Sequence, residues 1–213
     1  SFKEFYAAGQ MALIQGVGYP NPNRSHFRSM EIWQTADPTH PPKDGWLGRY
    51  FDAQCSGIDP KSQPDPKSAV NIAPIAPLAL QGEKFAAVSF QNPQSYQWFA
   101  GNRNVDKRMR DTFNQVNDLK SAADSTSTGN PTLDFLEPTA LDPQLPSQEI
   151  LAFTTKYKGG VSYPATPLGQ QLQLVAQMIA GGLKTRVYYV SLGGFDTHTN
   201  EKAQHDRLMQ TLS

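Results

Sequence analysis

Apolar residues recur with helical spacing over Thr166 to Ala180, where Leu168, Leu172, Val175, Met178 and Ile179 form one stripe. Thr166 is placed to cap this helix, Pro167 suits its first position, and Gly181 and Gly182 end it. The next run, Val187 to Val190, is short and rich in β-branched and aromatic residues, which predicts a strand. Gly193 and Gly194 close it, and Glu201 to Ser213 returns to helical spacing through Ala203, Leu208, Met209 and Leu212. Helix, strand and helix in succession predict an α/β domain with a largely parallel sheet.

The rest of the chain is less regular. An amphipathic helical piece opens it, and the apolar stretch Ala12 to Val17 predicts a first strand running into the turn-rich GYPNPN. Arg24 to Gln34 and Gly45 to Cys55 can form helices, separated by Pro-rich loop text that continues to Lys67. Ile75 to Leu80 and Phe85 to Phe90 predict a hairpin turning at Gln81 and Gly82, with Pro74 and Pro77 confining the first strand to an edge. Val105 to Ala122 reads as a helix buried through Met109, Phe113, Val116 and Leu119, and Ser147 to Lys158 as another. Between them, Ser121 to Thr132 is small, polar and Pro/Gly-punctuated, as a flexible loop would be.

Composition narrows the classes. The 213 residues suit one domain, and 19 basic against 19 acidic residues leave no net charge, which speaks against nucleic acid as a partner. No stretch reaches the ~20 apolar residues of a membrane span. One cysteine, Cys55, excludes an internal disulfide and a cysteine-based metal cluster, and reads as a partly buried thiol. Trp33, Trp46 and Trp98 read as core or lid anchors. Both termini break off within elements, as expected of a piece of a longer chain.

The candidate chemistry lies just past the predicted strands. Asp196 and His198 follow the carboxyl end of the Val187 strand, the edge at which open α/β sheets bind ligands. A carboxylate and an imidazole in D-T-H spacing are a normal ligand pair for zinc or a similar divalent ion; a helix cap and a loop histidine are the plain alternatives. His205, seven residues further, can face the same side as a third ligand or lie on the surface. After the Ala12 strand come Asn23, Arg24, Ser25 and His26. A serine at a helix start, with oriented N–H groups and Arg24 beside it, suits a nucleophile or an anion site, and equally a simple N-cap. His40, in a Pro-rich loop, reads as solvent-exposed.

The blocks GVGYPNPNRSHFRSMEIWQTADP and VYYVSLGGFDTHTNEKAQHDRLMQTLS resemble the two best-marked blocks of the large bacterial family of domain of unknown function 1501. That family is similar to the alkaline phosphatase and sulfatase superfamily. The resemblance implies a three-layer α/β/α sandwich with a largely parallel sheet, of which this chain is the middle portion. It places Ser25 near the nucleophile position and Asp196 with His198 near one metal pair; Arg24 and His26 flank Ser25 in sequence, and His205 joins the metal candidates by its helical spacing alone. A divalent metal (zinc, calcium or magnesium), an anionic phosphate or sulfate ester as substrate, and export to the periplasm follow from the same resemblance. Relatives usually begin with a twin-arginine signal and a first strand ending in a Gly-Gly-x-Asp block, and carry a later Ser-Glu-Phe-Gly-Arg block; this chain has neither the signal nor the later block, and its first predicted strand does not end in Gly-Gly-x-Asp. A scaffold that binds a polymer or a partner protein without turnover is the alternative expectation.

Overall fold

The structure, a computed structural model, describes residues 2–55, 64–93, 112, 144–156 and 160–213. Among these, helices α1 (Phe2–Ala7), α2 (His26–Thr35) and α3 (Trp46–Cys55) precede strands β1 (Ala69–Asn71) and β2 (Val88–Ser89). Helices α4 (Gln144–Lys156) and α5 (Pro167–Gly181), strand β3 (Val187–Tyr189) and helix α6 (Glu201–Leu212) follow. The strands form an open three-stranded sheet in the order β2-β1-β3, every pair parallel, in keeping with the α/β class. Val70 pairs with Val88 on one side and Tyr188 on the other. Hydrogen bonds from Ile72 N to Tyr189 O (3.0 Å) and from Phe90 N to Asn71 O (3.1 Å) extend the ladders toward the carboxyl edge.

Strand side chains alternate between the two faces, and the core divides accordingly. Val70, Ile72, Val88 and Phe90, with Tyr188 and Val190, pack against Ile150 and Phe153 of α4 and Leu174, Val175 and Met178 of α5. The alternate set, Ala69, Ala87, Val187 and Tyr189, packs with Leu47 and Phe51 of α3 and with Leu80 and Phe85. Phe51 and Phe85 stack with their ring centres 4.4 Å apart. Helices therefore cover the sheet on both faces.

Helix α5 matches its expected capping. The Thr166 hydroxyl accepts from Gly169 N, Pro167 occupies the first turn, and Gly182 ends the helix with φ +96°, the left-handed conformation that glycine adopts without a Cβ penalty. A Cβ on Gly181 would overlap the Phe153 carbonyl, so this glycine allows α4 and α5 to approach closely.

Three local expectations require correction. Residues 12–17 form no strand: Leu13, Ile14 and Val17 are 64%, 81% and 61% exposed, and Gly16 turns the backbone out of the extended region with φ +69°. Ile75 to Leu80 is not a strand either. Pro74 and Pro77 lack the N–H a ladder needs, and the chain bends into a 3-10 turn at Leu78–Leu80. The expected hairpin is reduced to a single antiparallel bridge, Gln81 with Ala86, and β2 to Val88–Ser89. That turn is held by the Asp52 carboxylate, which accepts from the backbone N–H groups of Glu83, Lys84 and Phe85 at 2.7, 3.2 and 2.8 Å. The central strand β1 was not expected. The helix at Val105 to Ala122, the loop at Ser121 to Thr132 and Trp98 lie outside the described residues, and nothing described bears on the side chain of Cys55. Trp33 and Trp46 are half-exposed, not core anchors.

Candidate metal centre

Two loops converge on one point. The first leads into α2. Asn23 N donates to the Tyr19 hydroxyl at 2.9 Å, the Ser29 hydroxyl donates to Asn23 O at 2.8 Å, and the Tyr19 and Ser29 hydroxyls are themselves 2.9 Å apart. This closed set fixes the loop across the first turn of the helix. Asn23 Oδ1 then accepts from Ser25 N at 2.8 Å, an Asx turn that sets the backbone for capping. Ser25 is the N-cap, in the extended region at φ −76° and ψ 120°, with its hydroxyl accepting from Arg28 N at 3.4 Å. His26, the first helical residue, consequently projects from the start of α2.

The second loop leaves β3. Gly194, at φ +96°, turns the chain, with the Leu208 side chain 3.5 Å from where a Cβ would stand. Thr197 N donates to Phe195 O at 3.0 Å, a tight turn with Asp196 at its centre. His198 Nε2 lies 3.1 Å and His26 Nε2 3.8 Å from the same Asp196 Oδ1. The two imidazoles meet edge to face with centres 6.4 Å apart. One donor atom from each of His26, Asp196 and His198 falls within 4.8 Å of the others, and all three residues are exposed.

These separations can be compared with what an ion requires. Two donors each ~2.1 Å from a tetrahedral ion stand ~3.4 Å apart. The distances of 3.1 and 3.8 Å to Asp196 bracket that value, and the widest donor separation in the set, no more than 4.8 Å, needs about 1.4 Å of closure at most. All three side chains are exposed, which leaves them room to rotate toward a common ion. Two imidazole nitrogens and one carboxylate oxygen are the donor set of zinc-type ions, whereas calcium and magnesium prefer oxygen. Three protein donors leave a coordination position open, as catalytic sites do.

The structure thus joins His26 to Asp196 and His198, although sequence spacing placed His26 beside the nucleophile position. His205 is held elsewhere, on α6, with its ring edge-on to Phe195 at 6.2 Å. Arg24 and Ser25 are exposed next to the cluster in sequence, the serine engaged as a cap. His40 is exposed as expected, and its Nδ1 lies 2.8 Å from Asp37 Oδ2. Tyr19 and Ser29, which hold the α2 loop in place, escaped sequence reasoning; the Asx-turn spacing of Asn23 and Ser25 was the available signal. Comparisons of this chain with protein-family models, with curated proteins and with solved structures find no match. Among the described residues, no helix is long and apolar enough to cross a membrane.

Proposed function

We propose that this chain is part of an exported, metal-dependent hydrolase of phosphate or sulfate esters, built on a three-layer α/β/α sandwich of alkaline phosphatase type. The observation that carries the reading is the convergence of His26, Asp196 and His198 beside the carboxyl end of β3, from segments far apart in the chain. The resemblance of the R-S-H-F and G-G-F-D-T-H blocks to domain of unknown function 1501 supplies the reaction class and the export.

A zinc-type ion in this donor set would act as a Lewis acid toward an ester oxygen. The chain's own residues do the remaining work. The N-terminus of α2 presents oriented N–H groups and its positive dipole end to an anion, and Arg24, one residue before the cap, adds a full charge. The Ser25 hydroxyl accepts one hydrogen bond as a cap and retains a lone pair; its attack would form an Oγ–P or Oγ–S bond, break the bond to the ester's leaving oxygen and pass the serine proton to that oxygen, releasing the alcohol. Asp196 Oδ1 and the Nε2 atoms of His26 and His198 would be the groups that hold the ion.

The test is hydrolysis of p-nitrophenyl phosphate and p-nitrophenyl sulfate by the zinc-loaded chain. Turnover of either ester that drops to background in Asp196→Ala, with the fold intact, supports the reading. Engagement of Ser25 as a cap favours a second reading, a scaffold that binds without turnover; no hydrolysis of either ester by a metal-loaded, folded chain selects it.

A further inference from the structure

A second feature of the sheet's carboxyl edge lies at the end of β2. A cavity of about 390 Å³ opens there, lined by Gln91 from the segment after β2, Thr154 and Thr155 near the end of α4, and Gln170, Gln173 and Gln177 of α5. The size falls within the ~300–1,000 Å³ of small-molecule sites. Gln170, Gln173 and Gln177 recur at i, i+3 and i+7, which puts them on one face of α5.

The described lining carries no charge and so offers a charged ligand group no counter-ion; Gln91, Thr155, Gln170 and Gln173 are exposed, which makes the site an open surface concavity. It is nevertheless rich in hydrogen-bonding capacity. No hydrogen bond joins the four glutamine amides to another described residue, and each offers two donors and an acceptor. The Thr154 and Thr155 hydroxyls donate to Leu151 O and Ala152 O at 2.9 and 3.0 Å, which leaves their oxygens as acceptors. Pro93 and the half-buried Leu174 add an apolar wall. Amides that both donate and accept, hydroxyl acceptors and an apolar surface without charge match the alternating O–H and C–H faces of a sugar.

We propose that this cavity binds a neutral saccharide. It is separate from the His26, Asp196 and His198 cluster: β1 lies between β2 and β3, so the two strand ends are two spacings, ~10 Å, apart. The proposal goes beyond the hydrolase reading and does not depend on it, since the cavity shares no residue with the cluster.

The experiment is saturation-transfer NMR on the full chain with maltose, cellobiose and lactose, followed by titration. At least one of the three is expected to receive saturation, and Gln173→Leu combined with Gln177→Leu is expected to weaken it at least tenfold. Asp196→Ala is expected to bind as the unaltered chain does, which separates this site from failure of the metal centre. Should the double variant fail to fold, exposed Thr155→Val, which removes one hydroxyl at constant size, is expected to weaken binding several-fold. No saturation with any of the three sugars, unchanged binding in a folded cavity variant, or loss of binding with Asp196→Ala overturns the proposal.

Discussion

Replacing Asp52 by alanine removes one carboxylate from three backbone N–H groups at once. Asp52 lies on α3 and closes the turn that returns the chain to β2, so its bonds at 2.7, 3.2 and 2.8 Å tie a helix to the sheet it covers. A hydrogen bond to a charged group contributes ~1.5–3 kcal/mol net, and less where water can replace it. The N–H groups of Glu83 and Lys84 are in exposed bonds and regain water; that of Phe85 is in a part-buried bond and does not do so fully. The expected loss is therefore about 2–4 kcal/mol, well short of three full contributions. In a domain of 150–250 residues each kcal/mol moves Tm by ~2–4 °C, which makes a fall of about 10 °C the central expectation. Asp52→Asn keeps one carbonyl-type oxygen and should fall between. The control is Asp206→Ala, which breaks only an exposed i,i+4 pair with Lys202 and should cost no more than ~0.5 kcal/mol. Calorimetric melting of the four proteins measures this. A Tm change below about 2 °C in Asp52→Ala, or one equal to that of Asp206→Ala, refutes the argument that this carboxylate holds the turn.

Ser25→Ala removes the α2 cap and is expected to cost ~1 kcal/mol in urea unfolding; if Ser25 is also the nucleophile, ester turnover disappears while most of the protein stays folded. Asp37 is expected to titrate below the ordinary aspartate value near 3.8, because the Thr39 hydroxyl and N–H and then the His40 ring and N–H bond its ionised form. An acid depressed in this way stabilises the fold above the unfolded value and loses that contribution as the pH falls through its lower folded value. The Asp37 side-chain carbon resonance should accordingly stay at its ionised position on acidification to pH 4; a midpoint at or above 3.8 contradicts the hydrogen-bonding account.

What could be read from the sequence followed local signals. Helix α5 carried a cap, an initial proline, an apolar stripe and a glycine stop, and it formed within a residue of its expected span. The strand at Val187 was legible for a similar reason, since its aromatic and β-branched run ends at glycines. Strand β1 left no such trace. Ala69, Val70 and Asn71 are buried together, and Asn71 is accommodated by its Nδ2 donating to Ile75 O and Ser89 Oγ at 2.9 and 3.0 Å, a tertiary arrangement no local pattern encodes. Conversely, Leu13 and Ile14 look like strand residues, but strands form only where a partner's ladder is available. At the site, Asp196 and His198 were visible as neighbours past a strand end. His26 could be joined to them only by the fold, because its contact with Asp196 links α2 to the loop after β3. His205 shows the reverse: two helical turns of spacing gave it a place in the set, and the packing of α6 turns it to Phe195.

The most direct measurement is calorimetric titration of zinc into the metal-free chain. One equivalent should bind, and binding should be lost in His26→Ala, Asp196→Ala and His198→Ala while His205→Ala retains it. Absence of stoichiometric zinc, or a His26→Ala variant that binds as tightly as the unaltered chain, contradicts the metal centre proposed for these three residues.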